Sequence, residues 1–264
     1  MSSRRDVLAG LAALTAAGGA APAGAAASDL NLDEPEANLA AYIKLRGDLR
    51  PDPVYDMVRG RVFGLVDGQA ARPLFKMIGA QRTQYRRVSS LEYRADTRYV
   101  GVLLDWNAEQ PLQRWINPYN DQPCEVPVTR YGPASMRLLA DRMLAGDSVS
   151  EPTRATRPWF TIGHVVYMVD QIMSPAPNNV QPDADLMNFS GDGRQLADPA
   201  LTRIPSQLGF TAVEHWRDWM QMDQPGSLWW HVAGAKLDGP RDYPAEFLSL
   251  LQAQDPDFFG AARP

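Results

Sequence analysis

The sequence predicts a mainly β protein: one curved antiparallel sheet or lipocalin-like barrel with a few short covering helices. Three observations carry that expectation. Residues 99–131 hold three short β-favouring runs separated by Asn, Asp and Pro, the spacing of an antiparallel meander. Residues 61–66 run into Asp67-Gly68, a strong hairpin signal, with residues 72–78 as the return strand. Residues 159–173 form the longest apolar run after the leader, and their β-branched and aromatic content favours strand over helix.

In chain order, residues 1–27 read as a twin-arginine signal peptide. Ser3-Arg4-Arg5-Asp6-Val7-Leu8 precedes an apolar Ala/Leu/Gly run that ends at Ala25-Ala26-Ala27. Gly10, Gly18, Gly19 and Pro22 make that run a poor permanent membrane helix. The expectation is export by the twin-arginine machinery to a periplasmic or secreted location, with no stable membrane anchor after leader cleavage. Residues 28–264 then form a single β-rich domain. With a net charge of −5, a pI near 5.2 and no Lys/Arg run after the leader, nucleic acid is not an expected partner. The single cysteine, Cys124, excludes an internal disulfide; its alternation with Val126 and Val128 makes it a buried thiol.

Leu39, Tyr42, Ile43 and Arg46 share one face of a short helix that Gly47 stops. Residues 81–88 extend as a strand in which Tyr85 and Arg87 alternate with Gln84, Arg86 and Val88. Residues 99–106 place Tyr99, Gly101, Leu103 and Asp105 on one face and the apolar Val100, Val102, Leu104 and Trp106 on the other. Met136, Leu139, Ala140 and Met143 have helical spacing, which predicts a helix over 133–144. In the run 159–173, His164 falls mid-strand between Ile162 and Val166. Residues 174–206, rich in Pro, Asn and Gly, read as a long irregular loop. Thr211-Ala212-Val213-Glu214 is a capping box that predicts a short aromatic helix. A last strand over 228–237 and an amphipathic helix over 243–254 close the chain.

Two ordered blocks carry a family resemblance. Leu104-Asp105-Trp106, Trp115-Ile116-Asn117-Pro118 and Glu125-Val126-Pro127-Val128 form the first. The second runs from Trp216-Arg217-Asp218-Trp219-Met220-Gln221-Met222 through Pro225-Gly226 to Gly234-Ala235-Lys236-Leu237. Together they resemble the signatures of the bacterial and fungal domain-of-unknown-function family 1838. Asp223 departs from the glycine expected after that Met. The resemblance implies a fold and no particular activity.

There is no Gly-rich phosphate loop, G-x-S-x-G elbow, HExxH or C-x-x-C. His164, His215 and His231 are far apart in sequence, so neither metal nor cofactor is expected. A barrel of this size can hold one small ligand, and the expected ligand is a hydrophobic or aromatic small molecule. One reading is a cofactor-independent lyase, isomerase or hydratase with His164 as acid/base, assisted by Asp105, Tyr85 or His231. Trp106, Trp115, Trp216, Trp219 and Trp229 would supply an aromatic binding wall. The other reading is a non-catalytic periplasmic binding or carrier protein. The individual residues keep structural alternatives: His164 as a hydrogen-bonded core histidine, Asp105 as a turn residue, and the tryptophans as core.

Overall fold

The computed structural model describes residues 30–145, 153–173 and 184–260. The leader and parts of the loop predicted over 174–206 lie outside them. Helix α1, Pro35–Arg46, begins on a proline whose missing N–H costs nothing at that position; the Gly47 N–H closes its end on the Ile43 carbonyl at 2.6 Å. The strands that follow are β1 (Pro53–Val66), β2 (Arg72–Ser89), β3 (Glu92–Leu104), β4 (Arg114–Ile116), β5 (Pro123–Glu125), β6 (Thr129–Leu139), β7 (Arg142–Ala145), β8 (Thr153–Thr156), β9 (Trp159–Ile162), β10 (Val165–Met173) and β11 (Ala184–Asp192). The short helix α2 (Gly193–Ala197), β12 (Gln207–Glu214), β13 (Gly226–Leu237) and helix α3 (Ala245–Gln254) complete the fold.

Neighbouring strands are antiparallel and mostly consecutive in sequence. The order is β11-β12-β13-β1-β2-β3-β6-β7-β8-β10-β9, so the last strand lies beside the first. β10 also pairs with β11 over nine residues, which brings the two ends of the order together. The seam is thin, because β8 makes two residue pairs with β7 and two with β10. The result is a strongly curved sheet rather than an evenly bonded lipocalin-like barrel. β4 and β5 form a separate two-stranded ribbon.

Three apolar clusters position everything else. At one end, Leu39, Tyr42, Ile43 and Leu45 of α1 pack inside the curve against side chains from β1, β2, β3, β6, β10 and β11. At the other end, Trp115, Tyr119, Trp216 and Trp219 close over Val62, Phe75 and Leu228. On the convex side, Tyr243, Phe247, Leu251 and Phe258 cover Tyr55, Val100, Val102 and Leu104. The Tyr243 hydroxyl donates to the Asp56 carbonyl at 3.0 Å and pins this cover to β1. The inside of the curve is thus plugged from both ends, with a gap between.

Four sequence expectations change. Residues 133–144 are not a helix but the β6–β7 hairpin, since β6 satisfies its backbone on β3 over most of its length and local helical spacing yields to that pairing. The capping-box residues lie in β12, bonded between β11 and β13; only Asp218–Met220 form a single 3-10 turn. The run 159–173 breaks at Gly163, whose φ of +64° makes a turn, so it is the β9–β10 hairpin rather than one strand. Within 174–206, Ala184–Asp192 is strand and Gly193–Ala197 is helix.

Candidate functional site

Cross-strand register builds the site. Tyr131 on β6 faces Tyr99 on β3, Tyr99 faces Gln81 on β2, Gln81 faces Asp56 on β1, and Asp56 faces Lys236 on β13. Cross-strand partners share a sheet face, so these five residues form one polar row across five adjacent strands. It runs along the concave side, level with the C-terminal end of α1. Apolar positions lie beside it: Val58, Met77 and Leu103 farther along their strands, and Phe189, Phe210 and Trp230 from β11, β12 and β13. Together they enclose a cavity of about 380 Å³, into which Arg46 also reaches from α1. That volume falls in the range of small-molecule sites.

Within the row, each polar group has a different employment. Lys236 is buried, and its Nζ donates to the carbonyls of Lys44, Leu45 and Gly47 at 3.1, 2.9 and 3.0 Å. Burial pulls its pKa down to about 7, opposed chiefly by Asp56. Three carbonyl acceptors ask for three N–H donors, which only the ammonium has; the geometry therefore favours the charged form more than burial alone implies. Gln81 donates to Thr83 Oγ1 at 3.1 Å. Asp56 is only 6% exposed, and among the described residues its carboxyl has no hydrogen-bond partner. Burial pushes its pKa up to about 7 against the opposing charges of Arg46, Lys236 and Arg203.

Tyr99 owes its position to two glycines. Gly79 and Gly101 face each other across β2 and β3, and a Cβ on either would meet the Tyr99 hydroxyl at 2.6 Å. The ring lies flat over the trough they leave, and the hydroxyl has no hydrogen-bond partner among the described residues. Burial raises the phenol's pKa well above its usual range, with Glu214 adding to the rise and Arg217 opposing it. Glu214 and Arg217 form an ion pair at the rim. The cationic carbon of Arg217 lies 5.9 Å from the Trp230 ring centre, and that of Arg46 lies 5.2 Å from the Phe189 ring centre.

None of the four catalytic candidates from sequence lines this cavity. His164 is exposed in the Gly163-His164 turn, because the glycine bends the chain one residue before the alternation would bury it. Asp105 caps a turn, accepting from the Asn107 and Ala108 N–H groups at 2.8 and 2.6 Å; those bonds hold its pKa below the usual carboxylate range. Tyr85 is buried beside Gly47 under the α1 plug. His231 is exposed on the convex face of β13, opposite Arg61.

The tryptophans divide between plug and exterior. Trp115 and Trp219 pack on Phe75 at 4.8 and 5.9 Å, and Trp216 donates to the Gln224 carbonyl at 3.0 Å. Trp106 and Trp229 flank Phe63 at 5.8 and 5.7 Å on the outside of the curve. Of these five, Trp219 borders an adjoining cavity of about 130 Å³ that shares Leu103, Thr129, Arg217 and Trp230 with the larger one. Sequence reasoning missed Asp56, Trp230 and Arg46 as site residues. The available signal for Asp56 was a carboxylate alternating with Val54 and Val58 in a strand. Among the described residues, no three His, Cys, Asp or Glu side chains group to hold a metal ion.

Fold and site together define a curved antiparallel sheet, plugged at both ends, around a cavity crossed by one polar row. The match of residues 53–263 to a family described as "Protein of unknown function (DUF1838)" covers most of the 264-residue chain, and the chain belongs to that family. A search of curated proteins gives no match. Among the described residues, no helix is long and apolar enough to cross a membrane.

Proposed function

We propose that this protein binds an uncharged hydrophobic or aromatic small molecule in the cavity between its two plugs. The observation that carries the reading is the unbonded Asp56 carboxyl and Tyr99 hydroxyl in a cavity whose wall is largely apolar and aromatic, with Val58, Met77, Leu103, Phe189, Phe210 and Trp230. Such a wall supplies affinity, and a few polar groups fix orientation. An organic cation is disfavoured, because Arg46 and Arg217 already lie within cation–π range of Phe189 and Trp230. The rim charge is balanced too, since Arg217 is paired with Glu214. Export fits the same reading: Arg4-Arg5 and the apolar run after them would deliver a binding protein to the periplasm or beyond.

Calorimetric titration of the purified protein with 2-naphthol, a neutral aromatic alcohol, tests the binding. Saturable binding that Leu208→Trp abolishes, by filling the cavity from β12, is the expected result. Binding that survives Leu208→Trp unchanged would place the ligand elsewhere and end the proposal.

A further inference from the structure

We infer that this cavity also carries a cofactor-free proton-transfer activity, with the Asp56 carboxylate as base and the Tyr99 hydroxyl as oxyanion donor, acting on a hydrophobic ketone or enone. The inference rests on the binding reading and adds chemistry to it.

The fold does not explain Asp56. A carboxyl this deeply buried is normally bonded to something, because an unbonded polar group in an apolar site costs stability. Lys236 stands directly across from it but spends its donors on the α1 carbonyls. The carboxyl is left facing the cavity with no structural task. Tyr99 shows the same pattern from β3, its ring seated over Gly79 and Gly101 and its hydroxyl unbonded. β1 and β3 are two strand spacings apart, about 10 Å. The Tyr99 hydroxyl leans over Gly79 on β2, no hydrogen bond joins it to the Asp56 carboxyl, and both residues line the same cavity.

The step balances without a co-reactant. The Asp56 carboxylate takes a proton from the carbon beside the carbonyl. The C–H electron pair forms the new C=C bond while the carbonyl π pair moves onto oxygen, giving an enolate. The Tyr99 O–H donates a hydrogen bond to that oxygen and keeps its proton, as its raised pKa requires. The Asp56 carboxylic acid then returns the proton to the same carbon, or to the far end of an enone, which moves the double bond. The α1 plug closes one end of the cavity and the Trp115–Trp219 plug the other.

The charges around Asp56 determine when it can act. Arg46 from α1, Lys236 from β13 and Arg203 from the segment before β12 favour its ionised form, and burial opposes them. Gln81 from β2 is uncharged; Glu214 and Arg217 at the rim act on Tyr99. A base that ionises near pH 7 is well matched to proton abstraction at neutral pH.

Deuterium exchange into 1-tetralone, followed by proton NMR in heavy water, tests the inference, with saturation transfer in the same tube reporting binding. Wild-type protein should exchange the proton beside the carbonyl faster than buffer, with a rate that climbs through about pH 7 and then levels. Asp56→Asn should bind tetralone and exchange at the buffer rate, and Tyr99→Phe should bind and exchange about 100-fold more slowly than wild type. Bound tetralone that exchanges no faster than in buffer would overturn the activity and leave the binding reading standing. Exchange that persists in Asp56→Asn would also overturn it. Tetralone that fails to bind at all would count against the binding reading, and the activity would fall with it.

Discussion

Asp56 and Lys236 stand directly opposite each other on β1 and β13, yet the carboxylate and the ammonium form no ion pair. The ammonium turns instead to the last carbonyls of α1, which have no intrahelical donors of their own. A single lysine thus fastens the plug helix to the sheet and leaves the neighbouring carboxyl for the cavity.

Removing that ammonium should loosen the plug. In Lys236→Met, the Leu45 and Gly47 carbonyls lose their donor while the Lys44 carbonyl keeps the Ile204 N–H at 3.2 Å, and each unsatisfied group costs about 1–3 kcal/mol. Urea denaturation should show a loss of about 2 kcal/mol or more. A loss below about 1 kcal/mol, within the range of an ordinary surface change, would mean that other contacts hold α1 in place.

Asp56 gives stability an unusual pH dependence. Its pKa is about 7 in the fold and near the ordinary 3.8 in the unfolded chain. Between those values the folded state binds the extra proton, so this group makes stability fall as pH rises from about 4 to 7. Asp192 works the other way: its pKa, drawn down to about 2 chiefly by the Arg194 side chain, contributes stability that is lost only as pH drops below about 4. The two windows do not overlap. Melting temperature should therefore decline between pH 4 and 7 in wild type, and Asp56→Asn should remove that decline and match or exceed wild type at pH 8. An identical decline in both proteins would show that Asp56 is not its source.

Much of this architecture was legible in the sequence because it depends on local chemistry. Gly47 ends α1, and Asp67-Gly68 turns β1 into β2 with Gly68 at a φ of +78°. The apolar alternation of β1, β3 and β13 marks true strands. What alternation does not reveal is which face a helix will cover. Val100, Val102 and Leu104 form the uniformly apolar face of β3, and they lie outside the curve beneath α3. The mixed face with Tyr99, Gly101 and Leu103 lines the cavity. His164 misled for a related reason: one glycine with positive φ moved it from a strand interior to an exposed turn. The polar row itself joins five segments that are distant in sequence, so it exists only once the register is known.

The tryptophans permit a sharper test of which end of the sheet is closed. Trp219 sits between Phe75 and Trp115, with ring centres 5.9 Å from each, and borders the 130 Å³ cavity. Trp229 is 36% exposed on the convex face, where it touches Phe63. Truncating a packed aromatic removes its contacts and leaves a void, at a cost of about 3–5 kcal/mol. Truncating a surface aromatic costs about 1 kcal/mol or less. Trp219→Ala should therefore destabilise the protein by several times as much as Trp229→Ala in paired urea denaturations. It should also open the smaller cavity toward the larger one, with which it shares Leu103 and Trp230. Equal losses from the two substitutions would mean that Trp219 is not part of a packed plug, and the cavity would then be open at that end.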